Sequence, residues 1–187
     1  MEITEQEMAE FAVTDLLYFI GEDPAREGLL DTPKRVVKAW REMTIGYAQD
    51  PRTVLGTSFG KEKYDQMILS EPIPFVSVCE HHMLPFTGFA YVGYVPRDRV
   101  VGLSKMARLV DCYARRLQIQ ERLTQQIADT MFSVLKPLGV GVLVNASHSC
   151  MSCRGVMKTG TTMTTCALKG VFKKKDVKEE FFLHCYK

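Results

Sequence analysis

The sequence predicts an α+β protein in which helices pack on one face of an antiparallel sheet. Two helical segments open the chain, and strand-like and helical segments then follow in the order β-β-α-α-β-β. Runs of strands, then helices, then strands are typical of this class. The length of 187 residues, with 46% hydrophobic and 25% charged residues, fits one globular domain or a small domain with an extension. It excludes disordered, collagen-like and coiled-coil chains.

Residues 1–64 are predicted to be a helical segment followed by a linker. Thr4 to Glu7 has the capping-box pattern that begins a helix, and apolar residues follow at helical spacing until Gly21. A second helix is predicted to begin at Thr32 and Pro33, because proline is tolerated at the first helical position. Residues 51–64 have mixed polarity with glycines, which favours a connection to the rest of the chain.

Residues 65–187 are predicted to form the domain that contains the sheet. The strand-like segments, rich in β-branched and aromatic residues, span 67–69, 74–78, 89–95, 140–146 and 161–172. Ser104 is a candidate N-cap for a helix that extends to about residue 117. Further helices are predicted from Glu121 to Leu135 and over 177–186.

Charge and composition restrict the function. A net charge of +2 is too small to indicate nucleic-acid binding, and no stretch has the roughly 18 consecutive apolar residues that span a bilayer. The acidic N-terminus lacks the regions of a signal peptide, so a cytoplasmic location is expected. The six cysteines are then expected to be thiols rather than disulfides.

A first cluster of metal-binding residue types lies at 79–82. Cys79 and His82 have C-x-x-H spacing, which lets a turn bring a thiolate and an imidazole to one metal. His81 strengthens this interpretation, because one imidazole can bind the metal while its neighbour transfers protons. The alternative is a buried cysteine beside two surface histidines, which is the more common meaning of a single C-x-x-H motif.

A second cluster covers residues 148–154, and two interpretations of it remain open. If this piece is extended, alternate side chains share one face. That face then carries His148, Cys150, Ser152 and Arg154. Cys79, His82 and Cys150 would leave a fourth coordination position for water, as in catalytic zinc sites, whereas adding Cys153 would give a closed Cys3His structural site. Strand parity favours the open site unless a bulge separates the two cysteines.

Two further motifs suit a nucleotide. Lys105 and Arg108 share one face near the start of the helix predicted at Ser104, where free N–H groups favour phosphate. The alternative is a solvated basic face. Glu121 lies at the start of the next predicted helix, where a carboxylate usually has only a favourable interaction with the helix dipole. In a cleft it could instead accept two parallel N–H bonds from the ring nitrogen and exocyclic amine of a purine.

Four motifs in this order resemble the GTP cyclohydrolase I family: Cys-Glu-His-His at 79–82, Gly-Leu-Ser-Lys at 102–105, Gln-Glu-Arg-Leu-Thr at 120–124, and His-Ser-Cys with Arg-Gly-Val within 148–156. The resemblance covers about residues 24–184 and includes Thr-Pro-Lys-Arg at 32–35. It implies the tunnelling (T-) fold, with residues 65–187 as the catalytic domain. It also implies conversion of GTP and water into 7,8-dihydroneopterin triphosphate and formate, by a toroidal homodecamer of two stacked pentamers with active sites at subunit interfaces.

The same resemblance implies a zinc ion held by Cys79, His82 and Cys150. Zinc with three protein ligands lowers the pKa of a bound water towards about 7, and in the family mechanism this water attacks C8 of the guanine. His81 resembles the residue that protonates N7. His148 resembles a second proton-transfer histidine, used in opening the imidazole ring and in later ribose steps. Imidazole, with an ordinary pKa of about 6.5, suits both roles.

The substrate contacts implied by the resemblance are spread over several predicted elements. Glu121 matches the carboxylate that anchors the guanine, helped by Gln120, and Ser104 matches a residue at the triphosphate and ribose end. The remaining substrate contacts are expected from Leu103, Lys105, Arg108, Arg154 and Arg35. A triphosphate carries about three to four negative charges, which explains the need for several cations.

Two alternatives belong to other functional classes. One is a purine-related enzyme on the same scaffold with altered chemistry, and the other is a structural Cys3His zinc protein that binds nucleic acid. The presence of both non-ligand histidines together with Glu121 favours GTP cyclohydrolase I chemistry. Folate, biopterin-type cofactors and deazaguanine nucleosides can all begin from its product, so the pathway stays open.

Overall fold

The structure, a computed structural model, describes residues 3–56, 58–60 and 64–186. Helices and strands are mixed along the chain, which confirms the predicted α+β class. Two compact units are present, Met1–Thr44 and Ile45–Lys187. None of the helices among the described residues is long and apolar enough to cross a membrane.

The N-terminal unit contains two helices and a short 3-10 turn: α1 (Glu5–Phe19), the turn Glu27–Leu29, and α2 (Thr32–Met43). The predicted capping box begins α1, since the Thr4 side chain accepts from the backbone N–H of Glu7 and the Glu7 carboxylate accepts from the backbone N–H of Thr4 at 2.8 Å. α1 ends before Gly21, whose φ of +87° favours a residue without a side chain. Pro33 lies in the first turn of α2, as predicted.

The second unit begins with elements that lie inside the predicted connection. α3 (Pro51–Leu55) has Asp50 as its N-cap, and the Asp50 carboxylate accepts from the backbone N–H of Arg52 at 3.1 Å. β1 (Ser58–Gly60) then pairs antiparallel with β5 (Arg99–Val101) in a separate two-stranded sheet. Part of the predicted connection is therefore regular structure, because Asp-Pro supplies a helix start.

Within the described residues the main sheet has six strands: β2 (Ile68–Leu69), β3 (Ile73–Cys79), β4 (Pro85–Val95), β6 (Leu117–Gln118), β7 (Gly139–His148) and β8 (Thr162–Gly170). The order across the sheet is β6-β3-β4-β7-β8, and β2 pairs with β4. Neighbouring strands are antiparallel except β3 and β6, which run parallel. Each strand predicted from the sequence is present. The sequence did not predict β1, β5 and β6, because strands of two or three residues are too short to produce a periodic pattern.

Helices cover both faces of this sheet. α4 (Leu103–Ala114) and α5 (Gln120–Leu135) share a hydrophobic core with Val140, Val142 and Val144 of β7. Leu143 points to the opposite face and packs with Phe172 and Phe181, the latter from α7 (Lys175–Cys185). The prediction that helices lie on one face only is wrong for α7. Because β7 is apolar on both faces, both faces need to be covered.

Two boundaries near the functional residues differ from the prediction. α4 begins at Leu103 with Gly102 as its N-cap, so Ser104 lies inside the first turn and is not the N-cap. β7 ends at His148 and a short helix, α6 (Ser149–Ser152), follows, so the residues after His148 are not extended. The hydroxyl of Ser152 donates back to the carbonyl of His148 at 3.4 Å, a local contact that favours the helical turn.

Candidate active site

Three segments that carry predicted site residues meet at one end of the main sheet. β3 ends at Cys79, which lies opposite Gln118 of β6, and β6 leads directly into α5. β7 ends at His148, which lies opposite Phe86 near the start of β4. Since β3 and β7 both run antiparallel to β4, their carboxyl ends lie at the same end of the sheet. The β3–β4 turn, the β7–α6 junction and the start of α5 are therefore neighbours.

The β3–β4 turn holds the first cluster in a defined conformation. The backbone N–H of Cys79 donates to the carbonyl of Leu84, and the N–H of Met83 donates to the carbonyl of Cys79, both at 2.8 Å. Met83 has a φ of +55°, which lets the chain reverse direction. The N–H of Glu80 donates to the carbonyl of Gln118 at 3.0 Å and ties the turn to β6. The histidine side chains that follow Glu80 are exposed on this turn, whereas Cys79 is buried.

Cys79, His82 and Cys150 come together, and their ligand atoms all lie within 4.8 Å of one another. The helical turn of α6 brings Cys150 into this group, whereas Cys153 is exposed and lies outside it. Burial and the nearby Cys79 thiol raise the pKa of the Cys150 thiol. The extended conformation assumed for residues after His148 is wrong, so strand parity is not the reason that Cys153 stands apart.

His81 and His148 belong to two of these segments, the β3–β4 turn and the end of β7. His81 follows Cys79 in the turn, and its Nδ1 is 4.0 Å from the Cys79 sulfur. The His148 ring stacks on Phe86 with ring centroids 4.6 Å apart and an interplanar angle of 4°. Burial lowers the pKa of His148, and the negative charge of Glu121 acts in the opposite direction. Both predicted proton-transfer side chains therefore adjoin segments that supply predicted ligands, but in different environments.

The Gln120 side chain is 1% exposed and its polar atoms are engaged within the protein. Its Nε2 donates to the carbonyls of Val144 and Met163 at 3.0 and 2.8 Å and lies 3.2 Å from the Thr165 hydroxyl. Its Oε1 lies 2.8 Å from Nε2 of His148. Both amide hydrogens are thus used, and the geometry does not favour the predicted contact between this side chain and a guanine. This conclusion concerns the side chain of Gln120 and not its backbone N–H, which lies in the first turn of α5.

Glu121 is exposed in the first turn of α5, the end of the helix that favours a carboxylate. The next residue, Arg122, forms a two-pronged ion pair with Glu80 of the β3–β4 turn, in which Nη2 and Oε1 are 3.0 Å apart. The Arg122 guanidinium holds the pKa of the Glu80 carboxyl below its ordinary value. This pair joins the turn that carries His82 to the start of α5. No sequence motif indicated it, because its members are 42 positions apart.

The predicted phosphate-binding residues of α4 line an open cavity of about 710 Å³. Lys105, Arg108 and Arg115 supply the cations, and Asp50 and Asp111 supply carboxylates. Leu103 and Ser104 in the first turn of α4 are exposed, Leu103 to 69%. None of the three clustered ligands belongs to the described lining of this cavity.

The remaining two predicted cations lie elsewhere in the chain. Arg154 is exposed and follows α6 in a segment that contains the left-handed residues Gly155 and Met157. Arg35 lies on α2 in the N-terminal unit, where its guanidinium is 3.1 Å from the Asp31 carboxylate. The structure thus brings the predicted ligands together, and it places Lys105 and Arg108 of the predicted cations in one cavity.

Comparison with known proteins identifies relatives over almost the whole chain. The family model described as GTP cyclohydrolase I matches residues 9–186. GTP cyclohydrolase 1 of Wolinella succinogenes is 52% identical over 176 residues, which cover 94% of this chain and 94% of that protein. GTP cyclohydrolase 1 of Mycobacteroides abscessus is 54% identical over 92% of this chain and 85% of its own length. The protein of the same name from Campylobacter concisus is 51% identical over 95% of this chain and 94% of its own.

Among solved structures, the archaeosine synthase QueF-Like in the apo form aligns with 59% of this chain and 97% of its own, with a TM-score of 0.46 and 20% sequence identity. That likeness is too weak to assign a fold. The sequence relatives are much closer, since about half of all aligned residues are identical over more than nine-tenths of the chain. This chain therefore belongs to the GTP cyclohydrolase I family.

Proposed function

We propose that this chain is a zinc-dependent GTP cyclohydrolase I, which converts GTP and water into 7,8-dihydroneopterin triphosphate and formate. Family membership supports the reaction, and the group formed by Cys79, His82 and Cys150 is the observation in this structure that carries the proposal. The reaction opens the imidazole ring of the guanine, releases C8 as formate and closes a pterin ring with ribose carbons.

The donor set of this group suits zinc. Two thiolates and one imidazole are preferred zinc ligands, and tetrahedral zinc with bonds of about 2.0–2.3 Å needs donors roughly 3.6 Å apart. The donors here lie within 4.8 Å of one another, so small side-chain movements would complete the geometry. Three protein ligands are also the number typical of catalytic rather than structural sites. Zinc bound in this way supplies a water whose pKa falls to about 7.

The two non-ligand histidines are proposed to move protons at the guanine. His81 lies beside the ligand turn and is exposed, so its imidazole can donate a proton to N7 of a guanine bound there. His148 has its pKa lowered by burial, which favours the neutral ring at pH 7 and lets it accept a proton. Opening the imidazole ring requires one group that donates a proton and one that accepts a proton, and these two histidines are proposed for those roles.

The substrate is proposed to be held by Glu121 at its base and by cations at its phosphates. The Glu121 carboxylate can accept two parallel N–H bonds from guanine, and a base without those donors would leave it unpaired. Lys105 and Arg108 already line one cavity, and Arg154 and Arg35 are proposed as further phosphate contacts. Ser104 and Leu103, exposed in the first turn of α4, are proposed to lie at the ribose end.

We also propose the T-fold and a homodecamer of two stacked pentamers with active sites at subunit interfaces. The arrangement of β3, β4, α4, α5, β7 and β8 supports the fold, and the edge strands β6 and β8 are available for pairing between copies. Light scattering on the native protein should give ten times the subunit mass of 21.2 kDa. A monomer or dimer with full activity would contradict the decamer.

Incubation of the zinc-loaded protein with GTP tests the proposed reaction. We expect one formate per GTP consumed and a product that becomes fluorescent after oxidation. If protein shown to contain zinc gives neither formate nor a fluorescent product, the proposed function is contradicted. X-ray absorption at the zinc edge separates the structural alternative: two sulfur and two nitrogen or oxygen neighbours are expected, whereas three sulfurs would indicate a closed Cys3His site.

A further inference from the structure

The orientation of the Gln120 amide is determined by its surroundings. The carbonyls of Val144 and Met163 are acceptors only, so the group that faces them at 3.0 and 2.8 Å has to be the amide nitrogen with its two hydrogens. These carbonyls belong to the paired strands β7 and β8, so the amide is anchored on the sheet. The amide oxygen is therefore the atom that faces His148 at 2.8 Å.

This orientation determines which ring nitrogen of His148 carries hydrogen. An amide oxygen only accepts, so Nε2 of His148 has to donate to it. This hydrogen bond engages Nε2, and Nδ1 is the ring nitrogen that Gln120 does not contact. The Phe86 ring is stacked parallel to the His148 ring and so limits tilting of the imidazole out of its present plane. Together these contacts hold Nε2 against the sheet-anchored amide and hold the ring plane parallel to Phe86.

We propose that Gln120 is a positioning residue that holds His148 in one tautomer, with hydrogen on Nε2, and in one ring orientation, so that Nδ1 is the ring nitrogen that meets the substrate. This inference rests on the proposed function, in which His148 transfers protons. It assigns the Gln120 side chain to a histidine rather than to the guanine. A buried side chain with both amide hydrogens engaged suits that role.

Gln120→Met and Thr165→Val form a matched pair of variants. Methionine keeps the length and unbranched shape of glutamine but removes the oxygen that faces His148. Valine at 165 removes a hydroxyl that contacts the same amide and leaves the His148 contact in place. In zinc-loaded protein, Gln120→Met should lower kcat about 10- to 100-fold with KM for GTP within about twofold of the native value. Thr165→Val should change kcat less than about threefold.

A double-mutant cycle shows whether Gln120 acts through His148. In a His148→Ala background the Gln120→Met change should lower the residual single-turnover rate by less than about twofold, because the group that it positions is gone. An equal loss in both backgrounds would overturn the proposal. A raised KM with unchanged kcat in Gln120→Met would also overturn it, since that result means that the side chain binds substrate.

A measurement on the native protein keeps the inference testable if Gln120→Met does not fold. In zinc-loaded protein labelled with 15N-histidine, the neutral His148 ring should give the chemical shift of a nitrogen that carries hydrogen at Nε2 and that of a bare nitrogen at Nδ1. The reverse assignment would overturn the proposal. Different results contradict the proposed function and the role of Gln120. If the native protein makes no product from GTP, the proposed function is contradicted. Active native protein that loses turnover in His148→Ala but not in Gln120→Met contradicts only the role of Gln120.

Discussion

The three clustered candidate ligands and the cations proposed to bind phosphate differ in how far the chain itself orders them. Cys79, His82 and Cys150 lie on a hydrogen-bonded turn and a helical turn, and their donor atoms already converge. Lys105, Arg108 and Arg154 make no ion pair with any residue that the structure describes, and Arg154 and Arg108 are exposed. The proposed metal-binding end of the site is thus built in advance, whereas the proposed phosphate end consists of long side chains that a triphosphate could itself order.

The largest expected effect comes from breaking the converged group. Cys150→Ala removes one of three ligands, so zinc content should fall well below one per chain and kcat/KM should drop roughly 10³-fold or more. Metal analysis and formate release measure both quantities. Cys153→Ala is the matched control, because this cysteine is close in sequence but exposed and outside the group. Equal zinc loss in both variants would show a closed four-ligand site.

His148→Ala should separate chemistry from metal binding. The side chain lies two residues before Cys150 but its Nε2 contacts Gln120, so zinc content should stay near one per chain. Loss of a proton-transfer group should lower kcat by about 10²- to 10⁴-fold. Zinc analysis beside single-turnover kinetics tests this. A variant that loses zinc as fully as Cys150→Ala would place His148 among the ligands instead.

The sequence predicted the strands that lead into this site and the grouping of its candidate ligands, but not the short helix that follows β7. The strands that lead into it follow from apolar and β-branched runs, and the membership of Cys79, His82 and Cys150 in one site followed from motifs in order. The parity argument about Cys153 was wrong because a four-residue helix follows β7, and so short a helix has no periodicity to detect.

Other contacts of the site were beyond prediction because they join distant parts of the chain. His148 meets Gln120, 28 positions away, and it stacks on Phe86 only because β4 and β7 pair in one register. The sequence places Gln120 beside Glu121 and so favoured a shared contact with the base. The structure separates the two residues, since one side chain is buried against the sheet and the other is exposed.

Glu121→Gln should affect substrate binding without affecting the converged group. The change keeps the shape but replaces one acceptor oxygen by a donor, so kcat/KM for GTP should fall about 10- to 100-fold, mainly through KM. Zinc content and thermal stability should stay near native values. Asp129→Asn, another exposed carboxylate on α5, is the control and should leave KM within about twofold. Unaltered turnover at low GTP in Glu121→Gln would contradict the anchoring role.

Lys105→Ala should act on the phosphate end alone. The lysine lines the α4 cavity without an ion pair to any described residue, so its removal should raise KM for GTP about three- to tenfold. Inhibition by inorganic triphosphate should weaken by a similar factor, whereas inhibition by guanosine should not change. The loss should be smaller at high salt, because exposed charges are screened. Equal weakening of both inhibitors would mean that Lys105 shapes the whole pocket rather than the phosphate end.

The smallest effect should come from the Glu80–Arg122 pair, which joins the ligand turn to α5. The pair is exposed, so its charge contributes little to stability, and Glu80→Gln should change kcat less than about fivefold. Its position beside Cys79 nevertheless restricts the turn, so zinc should dissociate a few times faster from the variant in a chelator assay. Arg122→Gln should give the same increase. The double variant should add nothing further, because each single change already breaks the one contact. Additive increases would show that Glu80 and Arg122 restrain the turn independently rather than through their ion pair. Unchanged dissociation in both single variants would instead mean that the backbone hydrogen bonds of the turn order the group by themselves.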